Sequence, residues 1–250
     1  GSGIKIQEAD QCSCDSVTIP ASGFTPRVKL SCMNASRRTV LAGLVGTTAV
    51  AIAGCLGSSD GGQSFEDHPA TTGIESQPSL GSPDAPATIV AFEDPSCRSC
   101  KRFETETFPA VKSELIESGR VRFVYRTLDI TFRWSLPASQ LMASTYDDMP
   151  EAFWGLKRYY YARQSEFEPD NVFELTESYL REESTADADA VLEAARGKEH
   201  DPLIQRNREA AEAADTTATP EFYLFRDDEF RTSVSGPQDY DVFESALGFD

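Results

Sequence analysis

Residues 87–101 read ATIVAFEDPSCRSCK and join an apolar run, a proline-containing turn and two cysteines three positions apart. The run over 87–92 is short, apolar and bounded by prolines, which predicts a buried strand. Two cysteines at this spacing can close a small disulfide across the first turn of a helix, where free N–H groups and the helix dipole stabilise a thiolate. The stretch therefore predicts redox chemistry at Cys97 and Cys100, with half of a zinc site or a structural disulfide as the alternatives.

A helix and a second strand are predicted after the cysteines. The apolar residues that recur at helical spacing are Phe103, Phe108, Val111, Leu115 and Ile116. Pro109 is expected to kink this helix, which ends at Ser118-Gly119. Residues 121–126 form the next predicted strand. Strand, helix and strand in this order predict a right-handed unit with two parallel strands, and Cys97 lies at the carboxyl ends, where reactive groups gather.

The rest of the chain is predicted to be helical first and extended afterwards. Helical apolar spacing continues through about 134–215, and we predict no strand in this stretch. Two strand-like runs follow at 221–225 and 229–234, and the short polar segment between them predicts a β-hairpin. Gly236-Pro237 ends the hairpin, and apolar residues at helical spacing predict a last helix. These residues are Tyr240, Val242, Phe243 and Leu247.

The composition is that of an acidic globular protein with one large or two small domains. The 250 residues include 41 acidic and 23 basic ones, which gives a formal charge of −18. Such a surface repels phosphate, so we expect no nucleic-acid partner. The same surface stays hydrated where salt screens its self-repulsion, and we therefore expect a salt-adapted origin. An acidic protein from an ordinary environment is the alternative.

Residues 33–57 have the features of an export signal. They read MNASRRTVLAGLVGTTAVAIAGCLG, with a basic start, an uncharged apolar stretch, and then small residues before a cysteine. The uncharged run is shorter than the ~20 residues of a spanning helix, so a transmembrane anchor is the weaker interpretation. Residues 36–41 resemble a twin-arginine signal and residues 52–55 resemble a lipobox. The resemblance implies a signal peptide over 33–54 and lipid on the sulfur of Cys55, whereas a small buried cysteine is the alternative.

The leader divides the chain into parts with different expected roles. Residues 1–32 are predicted to be upstream sequence, a mistaken start or a non-native remnant, and the cysteine spacing there matches no metal site. Residues 55–82 are rich in Gly, Ser, Asp, Thr and Pro, and we predict a lipidated cysteine followed by a flexible tether. Cleavage as expected would leave Cys97 and Cys100 as the only free pair of thiols.

The order of elements and three motifs resemble the DsbA-like branch of the thioredoxin fold. The motifs are Cys97-Arg98-Ser99-Cys100 followed by Lys101 and Phe103, then Phe153-Trp154, then Ala218-Thr219-Pro220-Glu221-Phe222. The resemblance covers residues 83–250 and implies an α/β fold with a central mixed sheet and a helical subdomain inserted over about 134–215. It implies that Pro220 is cis, that its loop faces the thiols, and that Thr219 offers backbone hydrogen bonds to an incoming peptide. With its leader and acidic composition, the chain resembles lipoprotein forms from halophilic archaea.

The resemblance implies a protein disulfide oxidoreductase that acts on exported proteins and is recycled by a redox partner. Cys97 lies nearer the helix end and is the predicted attacking thiol, whereas Cys100 lies one turn inside and is the predicted resolving thiol. We predict no cofactor. We also predict no metal, because the chain has only two histidines and neither lies in a paired ligand spacing. A thioredoxin-like peptide-binding or assembly module with a structural disulfide is the alternative function.

Two departures from the family pattern leave the direction of exchange open. Strongly oxidising members carry Pro-His between the cysteines, where this chain has Arg98-Ser99. Many members place a buried carboxylate six residues before the first cysteine, where this chain has Ala91. Glu93, four residues before Cys97, is predicted to take over that role, with a solvated carboxylate at the strand end as the alternative.

Overall fold

A five-stranded mixed sheet forms the centre of the fold. The computed structural model describes residues 63–250, and its strands lie in the order β1, β3, β2, β4, β5. They are β1 Ser79–Leu80, β2 Ala87–Glu93, β3 Val121–Thr127, β4 Glu221–Arg226 and β5 Glu229–Ser235. β2 runs parallel to β3, and the other neighbouring pairs are antiparallel. The parallel pair and the hairpin are both present, which confirms the α/β class with a mixed sheet.

Helices cover both faces of the sheet. The run that starts beside the cysteines consists of α1 Arg98–Arg102, a π-helical turn Phe103–Thr107, α2 Phe108–Ala110 and a second π-helical turn Val111–Ile116, and we call residues 98–116 the first helix. The later helices are α3 Ser135–Asp148, α4 Pro150–Ala162, α5 Val172–Glu183, α6 Ala188–Gly197, α7 Asp201–Ala213 and α8 Tyr240–Ala246. Short 3₁₀ turns lie at Pro69–Thr71, Ile74–Ser76 and Gln164–Glu166. Pro109 lies between the two π-helical turns. Because proline has no N–H group to donate to the carbonyl four residues earlier, it interrupts the regular α-helical hydrogen bonds.

β2 is the central strand and is buried on both faces. Of its seven residues, only Thr88 keeps partial exposure. Ile89 and Ala91 belong to the larger core, whereas Val90 and Phe92 belong to a smaller core on the opposite face. Because successive side chains of a strand point to opposite faces, burial on both sides requires a continuous apolar run. This explains the unbroken apolar sequence that precedes the cysteines.

The two cores are built by different helices. The larger core joins the sheet to the first helix, to α8 and to α3, α4, α5 and α6. The smaller core contains Ala210 and Ala211 of α7, packed with Tyr223 and Phe225 of β4. Although α7 falls within the predicted helical insertion, it therefore packs on the other face of the sheet.

Part of the predicted tether belongs to the folded domain. The ring of Phe65 packs edge-on against Phe225 with centroids 5.1 Å apart, and His68 is buried at 6% exposure. β1 pairs with β3, and the buried guanidinium of Arg126 donates to the carbonyl oxygens of Ala70 at 2.7 Å and Thr72 at 2.8 Å.

The prediction of a flexible tether over 55–82 is therefore wrong for residues 63–82. A few large side chains and backbone carbonyls bind this segment to the sheet, although its composition resembles that of a linker. Residues 1–62, which include the predicted leader and Cys55, lie outside the described part. Among residues 63–250, none of the helices has the length and apolar character needed to cross a membrane.

Candidate active site

The end of β2 and the start of α1 place both cysteines. β2 ends at Glu93, a tight turn follows, and Cys97 is the N-terminal cap of α1. The Cys97 N–H donates to the Asp94 carbonyl at 3.0 Å, and the Cys97 carbonyl accepts from Lys101 N–H at 3.0 Å. Both cysteines are free thiols, with 8% exposure at Cys97 and none at Cys100. Only Cys97 is therefore open to a reaction partner.

The buried carboxylate of Asp94 fixes the turn before Cys97. One oxygen accepts from Ser96 N–H at 2.7 Å, from the Ser96 hydroxyl at 2.6 Å and from the Ser135 hydroxyl at 2.5 Å. The other oxygen accepts from the N–H groups of Ile130 at 2.9 Å and Thr131 at 2.8 Å. Since these donors come from the turn, from the β3–α3 loop and from α3, Asp94 ties three segments together.

Gln164 also binds this turn through backbone carbonyls. Its side-chain amide donates to the carbonyl oxygens of Pro95 at 2.8 Å and Cys97 at 2.9 Å. Gln164 lies just after α4, so this contact comes from the inserted helices. A buried or half-buried carbonyl that keeps a partner avoids a desolvation cost, and the turn is thereby held in one conformation.

The Thr219–Pro220 loop lies against Cys97. The peptide bond between these residues is cis, and the Cys97 thiol donates to the Thr219 carbonyl at 3.2 Å. β4 begins directly after this loop and pairs with β2, with Glu221 opposite Phe92. The register of the sheet thus brings a segment that is remote in sequence next to the thiols.

The two thiols have opposite electrostatic surroundings. The pKa of Cys97 is lowered to about 6, chiefly by a hydrogen bond from the Cys100 thiol and, against the effect of burial, by the Thr219 side chain and the N–H groups of Cys100 and Ser99. The hydrogen bond from the Cys97 thiol to the Thr219 carbonyl favours the protonated form. The groups that donate to the thiolate have the larger combined effect, so the pKa is lowered. Burial raises the pKa of Cys100 well above its ordinary value, with the Cys97 thiol and the charge of Glu93 adding to the effect.

A buried charge cluster lies beneath the thiols. Glu93 is fully buried, and its Oε1 lies 3.4 Å from Nζ of Lys157, which is also fully buried. Lys157 forms a second ion pair with Glu104, and the Tyr161 hydroxyl donates to Oε2 of Glu93 at 2.9 Å. The alternative prediction of a solvated carboxylate at position 93 is therefore wrong.

One cation in this cluster faces two carboxylates. Burial raises the pKa of Glu93 to about 7, with the charge of Glu104 adding to the rise and Lys157 and Tyr161 opposing it. Burial by itself would lower the pKa of Lys157, but the two carboxylates hold it above its ordinary value. Glu93 can therefore gain or lose a proton near neutral pH, while Lys157 stays charged.

Sequence reasoning missed Lys157, Asp94 and Gln164. Lys157 lies four residues after Phe153 and four before Tyr161, on a helix face that is otherwise buried and aromatic. A single lysine on a buried, aromatic helix face indicates a buried anion as its partner, because a buried charge needs an opposite charge. No comparable signal existed for Gln164, because its partners are backbone carbonyls. In the described part of the chain there is no group of three or more His, Cys, Asp or Glu side chains arranged to hold a metal ion.

The mixed sheet, the cysteine pair at a helix start and the cis-proline loop beside it define a thioredoxin-fold protein with an inserted helical region. The family model described as Thioredoxin matches residues 74–247, and the chain belongs to this family.

Comparisons with individual proteins agree with this assignment. Disulfide bond formation protein D of Bacillus subtilis is 31% identical over 97 residues, which are 39% of this chain and 44% of that protein. The chain thus spans less than half of that relative. The crystal structure of oxidised BdbD from Bacillus subtilis matches with a TM-score of 0.61 and 24% identity, over 70% of this chain and 94% of that one. Wolbachia pipientis alpha-DsbA1 matches with a TM-score of 0.60 and 19% identity, over 68% and 88%. These likenesses support a DsbA-type thioredoxin fold.

Alkylation of the reduced protein should report the environment of Cys97. Because the thiolate reacts and the thiol does not, the rate with iodoacetamide should reach half its maximum near pH 6, the lowered pKa of Cys97. In Cys100→Ala the strongest hydrogen bond to the thiolate is lost, so the midpoint should move to higher pH. Ser99→Ala is the matched control, since it keeps the backbone N–H and should leave the midpoint in place. A midpoint at about 8.5, the ordinary value for cysteine, in the unchanged protein would contradict this assignment.

Proposed function

We propose that the protein is an exported, membrane-tethered oxidoreductase that exchanges disulfides with secreted or cell-surface proteins. The observation that carries the proposal is the asymmetry of the thiols. Cys97 keeps 8% exposure, has a lowered pKa and lies against Thr219, whereas Cys100 has no exposure and a raised pKa. An attacking thiol and a resolving thiol need these two environments.

The proposed reaction starts from the Cys97–Cys100 disulfide. A client thiolate attacks the sulfur of Cys97, the bond to Cys100 breaks, and Cys100 leaves with the electron pair and takes up a proton. A second client thiolate then attacks the client sulfur of the mixed disulfide and releases Cys97 as a thiolate. The client loses two electrons and gains a disulfide, and the protein is left reduced. A redox partner that accepts these electrons restores the disulfide.

Oxidation of clients is the direction that the site favours. The hydrogen bonds at Cys97 stabilise its thiolate, which exists only in the reduced protein or after release from a mixed disulfide. Stabilising the reduced form makes the disulfide form a stronger oxidant. The name of the Bacillus relative, a disulfide bond formation protein, supports the same direction.

Substitution of each cysteine tests the exchange reaction. Cys97→Ala should abolish oxidation of a reduced dithiol peptide, because no attackable sulfur remains at the surface. Cys100→Ala should accumulate mixed disulfides between Cys97 and exported proteins, because the resolving thiol is missing. Rates are measured by thiol titration, and the adducts by non-reducing gels and mass spectrometry. Oxidation that survives Cys97→Ala would sink this proposal, and client binding that survives without exchange would favour a peptide-binding module.

Glu93 is proposed as the group that exchanges protons with Cys100. Its charge raises the pKa of Cys100, so the two groups are electrostatically coupled, and Tyr161 packs with both cysteines while donating to Glu93. A base whose pKa lies near the working pH is the most effective general base. During reoxidation Glu93 accepts the Cys100 proton as Cys100 attacks the mixed disulfide at Cys97, and during client oxidation the proton returns.

The pH dependence of the resolving step tests this role. With saturating oxidised glutathione, release of glutathione from the Cys97 mixed disulfide should rise through pH 7 as Glu93 deprotonates, in line with its pKa of about 7. Glu93→Gln should slow this step by about 100-fold at neutral pH, a usual general-base contribution, and should remove the inflection.

Glu104→Gln is the matched control for Glu93. It also removes a carboxylate from Lys157 but leaves Glu93 in place. The negative charge of Glu104 raises the pKa of Glu93, so the inflection should persist and move to lower pH. If Glu93→Gln and Glu104→Gln had the same effect, Glu93 would be a structural member of the cluster and would not transfer protons.

The sequence of residues 33–57 supports the proposed export and membrane tethering. Residues 33–57 carry the basic start, the apolar stretch and the small residues before Cys55 that resemble a twin-arginine lipoprotein signal. With lipid on Cys55, the chain between Cys55 and the folded part, which begins by residue 64, would be the tether.

Mass spectrometry of the protein purified from its own membranes tests the anchor. The first peptide should begin at Cys55 and carry a lipid mass, because the lipobox cysteine becomes the new amino terminus. Cys55→Ala should lose the lipid mass, and Cys32→Ala, upstream of the signal, should keep it. An unmodified Cys55 peptide, or a retained leader, would rule out lipid anchoring.

A further inference from the structure

A cavity of about 690 Å³ opens beside Cys97. Ser96 and Arg98, the two neighbours of Cys97 in the chain, line it together with residues 132–134 of the β3–α3 loop and residues from 164 to 169 after α4. Neither Thr219 nor Pro220 is among the lining residues. The cavity is therefore a surface distinct from the cis-proline loop, and it adjoins the residues on both sides of Cys97 in the chain.

The floor of the cavity is a stack of aromatic rings. Trp134 and Phe167 are both buried, and their rings stack with centroids 5.1 Å apart at an interplanar angle of 30°. Phe132 lines the cavity with 51% of its surface exposed, and Ile130, two residues earlier in the same loop, is 55% exposed. A rigid apolar floor suits a large apolar side chain.

The walls of the cavity carry positive charge. Arg98, Lys101 and Arg133 line it, and Glu168 is the acidic residue among the lining side chains. Between residues 63 and 250 the chain has 18 basic and 37 acidic residues, so the local excess of cations reverses the sign of the domain as a whole. Within that described range none of the three cations lies in an ion pair. Lys101 Nζ donates to the Ala162 carbonyl at 3.3 Å, but no carboxylate in that part of the chain neutralises any of the three charges, so they can attract an external carboxylate.

We propose that this cavity binds the client segment next to the reacting cysteine, and that it selects an extended acidic peptide with one large apolar side chain. The apolar side chain enters over the Trp134 and Phe167 rings, and carboxylates nearby face Arg98, Lys101 and Arg133. This inference rests on the proposed exchange function and adds its substrate class. The charge complementarity is specific, because an acidic segment would be repelled by most of the remaining surface.

Oxidation of matched dithiol peptides by the full-length protein tests this selection. The peptides differ only beside their first cysteine, which is flanked by Phe with two Asp, by Phe with two Lys, or by Ala with two Asp. At low salt the Phe–Asp peptide should have a kcat/KM about tenfold above that of the Phe–Lys peptide, since complementary charge raises association rates. The ratio should fall toward one as salt is added. The Ala–Asp peptide should be slower than the Phe–Asp peptide at every salt concentration.

Charge-reversal variants locate the effect in the cavity. Arg133→Glu should bring the ratio of the acidic to the basic peptide to one or below. Arg231→Glu, an exposed position on β5 outside the cavity, changes the net charge by the same amount and should leave the ratio unchanged. A loss of selectivity in both variants would overturn the cavity assignment and indicate a general charge effect.

The remaining outcomes separate this inference from the proposed function. Equal kcat/KM values for the acidic and basic peptides would overturn the substrate class while leaving thiol exchange in place. Failure to oxidise any of the peptides, and failure to oxidise a small uncharged dithiol as well, would instead overturn the exchange function.

Discussion

Two consecutive buried carboxylates, Glu93 and Asp94, lie at the end of β2. The site depends on the ion pair and hydrogen bonds that stabilise their negative charges. An ionised carboxylate removed from water is strongly destabilising unless it is paired or hydrogen-bonded. Asp94 receives hydrogen bonds from its own turn, from the β3–α3 loop and from α3. Glu93 is paired with Lys157 and bonded to Tyr161, both on α4. The inserted helices therefore complete the thiol site, because α4 supplies both the cation and the hydroxyl donor that contact Glu93.

The negative charges of the two carboxylates are stabilised by different groups. Asp94 therefore fixes the conformation of the turn, whereas Glu93 is the carboxylate suited to proton transfer. Asp94 is surrounded by neutral donors in fixed positions, and it holds the turn that orients Cys97. Glu93 shares a single cation with Glu104, and one positive charge cannot fully compensate two negative charges among buried side chains. Burial raises the pKa of Glu93 to about 7, and the charge of Glu104 adds to the rise while Lys157 only partly offsets it, so this carboxylate can change its protonation state near neutral pH.

Features set by neighbouring residues could be predicted from the sequence, whereas those set by distant partners could not. The strand over 87–92, the cysteine pair and the hairpin each depend on local periodicity or turn residues, and the structure contains all of them. Lys157 is far from Glu93 in the chain, and nothing local identifies which anion it meets. The assignment of residues 63–82 to a tether failed for a related reason. Arg126 binds backbone carbonyls of that segment, and every sequence has such carbonyls whatever its composition.

The charges around the thiols fall into two groups that respond differently to salt. Arg98 and Arg133 are exposed, so dissolved ions screen their attraction beyond about 8 Å at physiological ionic strength. Glu93 and Lys157 are fully buried, and ions cannot come between them. The proton transfer proposed for Glu93 would therefore respond little to salt, whereas the proposed selection of clients by exposed charges would weaken as salt is added. In concentrated salt, an acidic domain of this kind would depend on the aromatic floor formed by Trp134 and Phe167, because apolar contact at short range is the part of docking that ions do not screen.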